Sequence, residues 1–382
     1  MSAQACIDHV DAALAPYLAA GALPGYVAAV SIGGERRVSA RGAMAIDPGA
    51  GDMTEATLFR VASLSKIVAG ALALSLEEDG VLALADPVAQ WLPELAHPRV
   101  IRDVSGPLQD AVPAERPIRV GDLLTMTAGM GRFVPDGPLR SAIVAEGLDS
   151  GPFPPAFSHD EFMARLGALP LAHQPGAGWL YHTSIDALSV LMARAAGRPL
   201  SQLVAERVAE PLGLGGLPFH ASDPDRLATA YNPTADGLEL LDPPTGPFAR
   251  PPRFETLGSG LVCTAPDFLG FMEMLGRGGA PVLSAESVAR LGADQLDDRQ
   301  RSEAQRFFGE QWSWGLGCQV KLGAGDIALA SGGFGWQGGT GTTAYVDPPR
   351  ELAAVLLTQR ALSGPHAPAV SVSFWDAVYR GL

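Results

Sequence analysis

Residues 58–66 read Leu58-Phe59-Arg60-Val61-Ala62-Ser63-Leu64-Ser65-Lys66, and Ser63 and Lys66 place a hydroxyl and an amine three residues apart. On a helix that spacing puts both side chains on one face. A serine hydroxyl is a weak nucleophile at neutral pH. An adjacent amine can take its proton once burial depresses the amine's pKa, because desolvation disfavours charged lysine. Amides at a helix N-terminus would also favour the oxyanion formed when the serine attacks a carbonyl. Only Lys66 and Lys321 among the 27 basic residues are lysines. Arginine keeps its proton in proteins and could not be such a base. A motif this short recurs by chance, so the surrounding chain has to decide its meaning.

Working outward, apolar residues Ile7, Val10, Leu14 and Leu18 recur at helical spacing between Ala5 and Ala20. Tyr26–Ile32 and Glu35–Gly42 read as a hairpin about Gly33-Gly34. Helical patterns follow from about Ser63 to Gly80, from Asp86 to Leu95, and at 120–126, 160–166, 184–196 and 266–276. β-rich runs return at 315–322, 327–331, 342–346 and 352–359, before a closing helix at 371–379. The order helix, strands, helices, strands, helix predicts an α/β protein of the α+β type. Its antiparallel sheet is built from both chain ends (1–80 and 295–382), and a mainly helical domain (81–294) is inserted between them. The Pro-rich stretches 134–157 and 222–254 show weak periodicity and are long for connections, which makes them candidate lids or cleft walls.

Forty-one acidic against 27 basic residues leave a formal charge of −14. Without a cationic run, that excludes a phosphate-tracking surface, so nucleic acid and anionic membranes are poor partners. At 47% hydrophobic and 18% charged the chain is globular in composition. Cys6, Cys263 and Cys318 are odd in number and far apart, which indicates buried thiols rather than disulfides or a zinc ribbon. The first 25 residues lack a basic segment followed by an apolar one, and Glu77 and Glu78 interrupt the most apolar helix. A cytoplasmic location is expected. No histidine pair has helical metal-ligand spacing, and G-x-S-x-G, H-E-x-x-H and Gly-Lys are all absent, so neither metal nor cofactor is expected.

The 58–66 segment closely resembles the first box of the serine β-lactamase and penicillin-binding-protein superfamily, in the class C-like branch that includes family VIII carboxylesterases. Further segments resemble that branch in the right order. Leu123-Leu124-Thr125-Met126-Thr127-Ala128-Gly129 is similar to its "LLTHTSG", with Met126 and Ala128 where His and Ser are usual. Tyr181-His182-Thr183 resembles its Tyr-x-Asn box, and residues 258–267 resemble "GGGLVSTAPD". Gly335-Trp336-Gln337-Gly338-Gly339 falls where the third box belongs.

The resemblance runs from about residue 5 to 380. It implies a β-lactamase/transpeptidase-like fold with the site in the cleft between its two parts. It also implies Ser63 as nucleophile, Lys66 and Tyr181 as a hydrogen-bonded base system, and the Ser63 and Gly339 amides as oxyanion hole. Trp336, Thr183 and Gly338 are then the substrate-binding positions. Either Lys66 or Tyr181 could accept the serine proton, since a phenolate needs a cation to stabilise it. His182 reads as a packing or surface residue, because no carboxylate partner is visible in the sequence.

Two departures point to esters. Relatives that bind β-lactams or D-Ala-D-Ala peptides usually carry Lys-Thr-Gly or His-x-Gly in the third box. Trp336 offers one N–H and an apolar face in place of that cation. Thr183 removes the amide of the second box. Trp-x-Gly also resembles the esterases of the branch. The expectation is a serine carboxylesterase for small uncharged esters, with aromatic residues Phe133, Trp312, Trp314 and Phe334 available to line an apolar cleft. The rivals are a β-lactamase, D-aminopeptidase, amidase or acyltransferase of the same fold, and a non-catalytic binding module.

Overall fold

A computed structural model describes residues 2–149, 151–325, 327–364 and 366–382. The chain begins with helix α1 (Ala3–Ala19), started by the Ser2 side chain, which accepts the Ala5 N–H. A hairpin follows, β1 (Gly25–Ile32) and β2 (Glu35–Gly42), turned by Gly33 and Gly34 at φ +55° and +89°. Helix α2 (Ser65–Glu78) is buried from Ser65 to Leu76 on every side, as its almost uninterrupted small and apolar sequence requires. Helix α3 (Thr183–Ala196) ends on Gly197 in the left-handed conformation, and α4 (Ala265–Gly276) starts on the Thr264 cap. The later strands are β3 (Trp312–Trp314), β4 (Gln319–Lys321), β5 (Phe334–Gly338), β6 (Thr342–Asp347) and β7 (Leu352–Thr358). Helix α5 (Ala369–Arg380) closes the chain.

The seven strands form one sheet in the order β2-β1-β7-β6-β5-β4-β3, with every neighbouring pair antiparallel. β1 pairs with β7 from Tyr26 opposite Thr358 to Ile32 opposite Leu352, which joins the two chain ends in the middle of the sheet. Side chains alternate between its faces. Trp375 of α5 donates to Thr343 on one face, and α4 packs at Gly276 against Val346 on the other. Both faces are therefore covered, and all seven residues of β7 are buried. Among the described residues no helix is long and apolar enough to cross a membrane.

Three sequence expectations need correction. The run 327–331 forms no strand: Lys321 N–H donates to Gly333 O at 2.9 Å and Gly332 N–H to Lys321 O at 2.8 Å, which closes the β4–β5 hairpin and leaves the run in its loop. Ile327 and Leu329 are buried with Ala328 exposed between them, so they mimic strand alternation without a partner. Residues 86–95 make two 3₁₀ turns, Val88–Gln90 and Pro93–Leu95, instead of one helix. The stretch 134–157, whose Ser150 lies outside the described residues, contains a helix at Pro138–Ala145 that starts on Pro138.

Candidate active site

The segment before α2 is held from two directions. Phe59–Arg60 pairs with Val262–Cys263, and the Val61 N–H donates to Leu261 O at 3.0 Å. From the sheet, Thr340 Oγ1 donates to Arg60 O at 2.5 Å and Thr342 Oγ1 to Val61 O at 3.0 Å. Between them Ala62 adopts φ +45°, a conformation that L-residues avoid unless their surroundings impose it. Ser63 follows in a 3₁₀ turn (Ala62–Leu64) and is 8% exposed. The same threonines bring the Gly338–Gly341 turn against the serine turn. The Gly339 carbonyl accepts from Leu362 N at 2.9 Å, and among the described residues the Gly339 amide donates to no backbone carbonyl.

Gly338 and Thr183 do not line the cleft. A β-carbon on Gly338 would collide with Val61 O and Thr342 Oγ1, so its work is the close approach of β5 to the serine turn. Thr183 is buried at the start of α3, where its hydroxyl has no hydrogen-bond partner. Gln337 and Gly339 lie in the wall instead.

Lys66 is fully buried, and its Nζ meets three oxygen or nitrogen atoms: Ser63 Oγ at 3.0 Å, His182 Nδ1 at 3.1 Å and Gly258 O at 2.5 Å. None of them is a carboxylate. Burial pushes the Lys66 pKa down to about 7, opposed by the Asp186 charge and assisted by that of Arg132. His182 Nε2 faces Asp186 Oδ2 at 3.4 Å, and Asp186 Oδ1 accepts from Thr256 Oγ1 at 2.6 Å. Burial, with Lys66 assisting and Asp186 opposing, pushes the imidazole down to about 4. Burial alone would raise the Asp186 carboxyl, but His182, Thr256 and Lys66 together hold it below the usual carboxylate range. The reading of His182 as a packing residue is therefore corrected: it stands between the only site lysine and a buried carboxylate. The signal was present in the sequence as His182 and Asp186 four residues apart, at the start of a helix. Met126, in place of the usual histidine, receives the His182 N–H on its sulfur at 3.4 Å.

Tyr181 does not hydrogen-bond Lys66. The ammonium sits over the phenol ring, 4.7 Å from its centroid. The phenol oxygen accepts the Trp336 Nε1–H at 2.8 Å. Burial raises the Tyr181 pKa to about 12, although hydrogen bonds with Ser63 and Trp336 pull it back. Trp336 is 3% exposed and its one donor is committed to Tyr181, so it orients the phenol as well as bordering the cleft.

Ser63, Tyr181, Trp336 and Gly339 open onto one cleft of about 470 Å³. Both long stretches contribute to it, through Pro152 and Phe153 and through Asn232 and Leu241. Phe133 and Phe307 complete an aromatic flank, whereas Trp312, Trp314 and Phe334 are core residues of the sheet. Among the described residues Arg132 is the one charged residue of the wall.

The chain matches the Beta-lactamase family over residues 10–371 and belongs to it. It is 36% identical over 342 residues to protein Rv1367c of Mycobacterium tuberculosis, covering 85% of this chain and 82% of that protein. It is 31% identical over 346 residues to esterase EstB of Burkholderia gladioli, covering 86% and 83%. Among solved structures, EstCE1, described as a hydrolase with promiscuous acyltransferase activity, superposes with a TM-score of 0.84 at 25% identity, covering 98% of this chain and 99% of that one.

Proposed function

We propose that the protein is a serine carboxylesterase that hydrolyses small carboxylic esters, uncharged at the scissile end, through an acyl-Ser63 intermediate. The observation that carries this reading is the buried amine of Lys66, 3.0 Å from Ser63 Oγ and without a carboxylate of its own. A neutral amine has two N–H groups and one lone pair. With Gly258 O and His182 Nδ1 taking the two N–H groups, the lone pair is left for the Ser63 hydroxyl. A pKa of about 7 for Lys66 against about 12 for Tyr181 makes the amine the base and keeps the phenol protonated near neutral pH.

Trp336 N–H then donates to the Tyr181 oxygen, the serine O–H to Lys66, and the Lys66 N–H to His182, while Tyr181 stays hydrogen-bonded to Ser63. His182 and Asp186 act as positioning residues in this chain. In the reaction, Ser63 Oγ bonds to the ester carbon as its proton passes to Lys66. The Ser63 and Gly339 amides hold the oxyanion. The ester C–O bond breaks, the alcohol leaves with the proton from Lys66, and water attacks the acyl-enzyme by the same route. Likeness to EstB and EstCE1 supports ester chemistry.

Acyl transfer to an alcohol is a second reading that uses the same acyl-serine, and the described activity of EstCE1 favours keeping it. A β-lactamase role fits less well, because Trp336 has no free donor and Thr183 is outside the cleft. The test is hydrolysis of 4-nitrophenyl butyrate by wild type and Ser63→Ala, with nitrocefin alongside. Loss of turnover in the variant and a fluorophosphonate adduct on wild-type Ser63 are expected. Undiminished turnover in Ser63→Ala would overturn the reading.

A further inference from the structure

We propose that Arg132 binds an anionic group, a carboxylate in the first instance, on the acyl or alcohol part of the ester, and so selects substrates charged at the end remote from the scissile bond. This rests on the reading of Ser63 as an esterase nucleophile.

The cation missing from the third box reappears on a different loop. Arg132 follows Met130-Gly131, and its backbone N–H donates to Tyr181 O at 2.8 Å, which ties it directly to the site tyrosine. Its guanidinium is fixed in place. Nε donates to Asp149 Oδ1 at 3.1 Å, and the carbon lies 5.2 Å over the Phe133 ring, which in turn packs on Phe307 at 5.1 Å. Phe133 holds φ +65°, a conformation a phenylalanine adopts only where its surroundings require it, and is 55% exposed. Among the described residues neither Nη group of Arg132 has a hydrogen-bond partner, and neither is sealed from solvent. A guanidinium with Nε occupied and its outer edge open retains the paired donors that fit a carboxylate.

Arg132 does not have its carboxylate to itself. Asp149 is shared: Arg140 places Nη1 2.8 Å from its Oδ1 and Nη2 2.8 Å from its Oδ2. Two guanidiniums therefore face one carboxylate, with Asp136 acting on Arg140 from the solvent side. Among the described residues no aspartate or glutamate lines the cleft, whose other polar wall groups include neutral Asn232, Gln337 and Ser363. In a chain carrying −14 overall, the described residues border the reactive cleft with a single positive charge. A low-dielectric cleft lined by one sign of charge concentrates the opposite sign. On this proposal the neutral-ester expectation drawn from Trp336 applies to the scissile end alone.

The test measures kcat/KM, corrected for spontaneous hydrolysis, in two matched pairs. The acyl arm compares the 4-nitrophenyl monoester of adipic acid with 4-nitrophenyl hexanoate. The alcohol arm compares 4-acetoxybenzoate with phenyl acetate. Wild type should prefer the charged member of at least one pair by ~10-fold, as a charge-assisted bidentate contact provides. Arg132→Gln should bring that ratio to about one or below, and Arg132→Lys should keep part of it. The arm that responds identifies which end of the ester carries the charge. A wild-type ratio at or below one in both arms overturns the proposal, as does a ratio unchanged in Arg132→Gln that still turns over the neutral ester. Should Arg132→Gln fail to fold, the wild-type and Arg132→Lys ratios decide. Absence of turnover with every ester would sink the esterase reading itself, and this proposal with it.

Discussion

Arg60 and Lys66 are both buried cations, six residues apart, yet their surroundings make opposite uses of the charge. Arg60 has its own carboxylate, Asp242, and also donates to Ala228 O at 2.5 Å and Pro243 O at 2.8 Å. Burial pushes its pKa down and Asp242 pushes back, but an arginine stays charged across any working pH. Lys66 meets a hydroxyl, an imidazole and a carbonyl, and the nearest carboxylate stands behind His182. A buried cation with a direct counter-charge is a fixed tie. One given only neutral acceptors is under pressure to lose its proton, which is what a base must do.

The largest effect should come from making the second site like the first. Lys66→Arg keeps a cation but removes the possibility of a neutral amine, and kcat/KM for 4-nitrophenyl butyrate should fall by ~10⁴-fold. A loss below tenfold would mean that Lys66 is not the base.

Breaking the tie should act on stability instead. Arg60→Ala leaves the Asp242 carboxylate buried without its partner and should cost about 3–5 kcal/mol in urea unfolding. Replacing both residues by apolar ones should recover part of that loss.

Asp186→Asn sharpens the comparison by altering only the distant charge. Asp186 favours the ammonium form of Lys66, so its removal lets the amine lose its proton at lower pH. Activity requires the neutral amine, so it rises with pH through about 7 in wild type, and the acid limb of kcat/KM should move to lower pH in the variant. A limb that stays in place would separate Asp186 from Lys66. The smallest effect belongs to Trp336→Phe, which deletes one hydrogen bond to the Tyr181 oxygen and should lower kcat by roughly 3–10-fold.

How much of this could be read from the chain varies with how local the information is. Ser63, Lys66 and Tyr181 carry short motifs, and the structure brings them together, Ser63 and Tyr181 at the cleft and Lys66 buried behind Ser63. The antiparallel sheet from both chain ends was visible in the order of strand and helix patterns, and its β1–β7 pairing realises it. Contacts that only folding creates were not legible. The indole N–H of Trp336 turns to Tyr181, Gly338 serves a backbone approach, and Arg132 reaches the cleft from a loop with no periodicity of its own. Asp186 lay between these cases, since its spacing from His182 was visible but its proximity to Lys66 depends on how α3 crosses α2.

The most direct measurement is the pH dependence of Ser63 phosphonylation by a fluorophosphonate, followed by intact mass on the wild-type protein. With Lys66 as the base, the rate should rise about tenfold per pH unit at acid pH and level off above about 7. A rate that keeps climbing past pH ~9, toward the range of a phenol, would instead make Tyr181 the base.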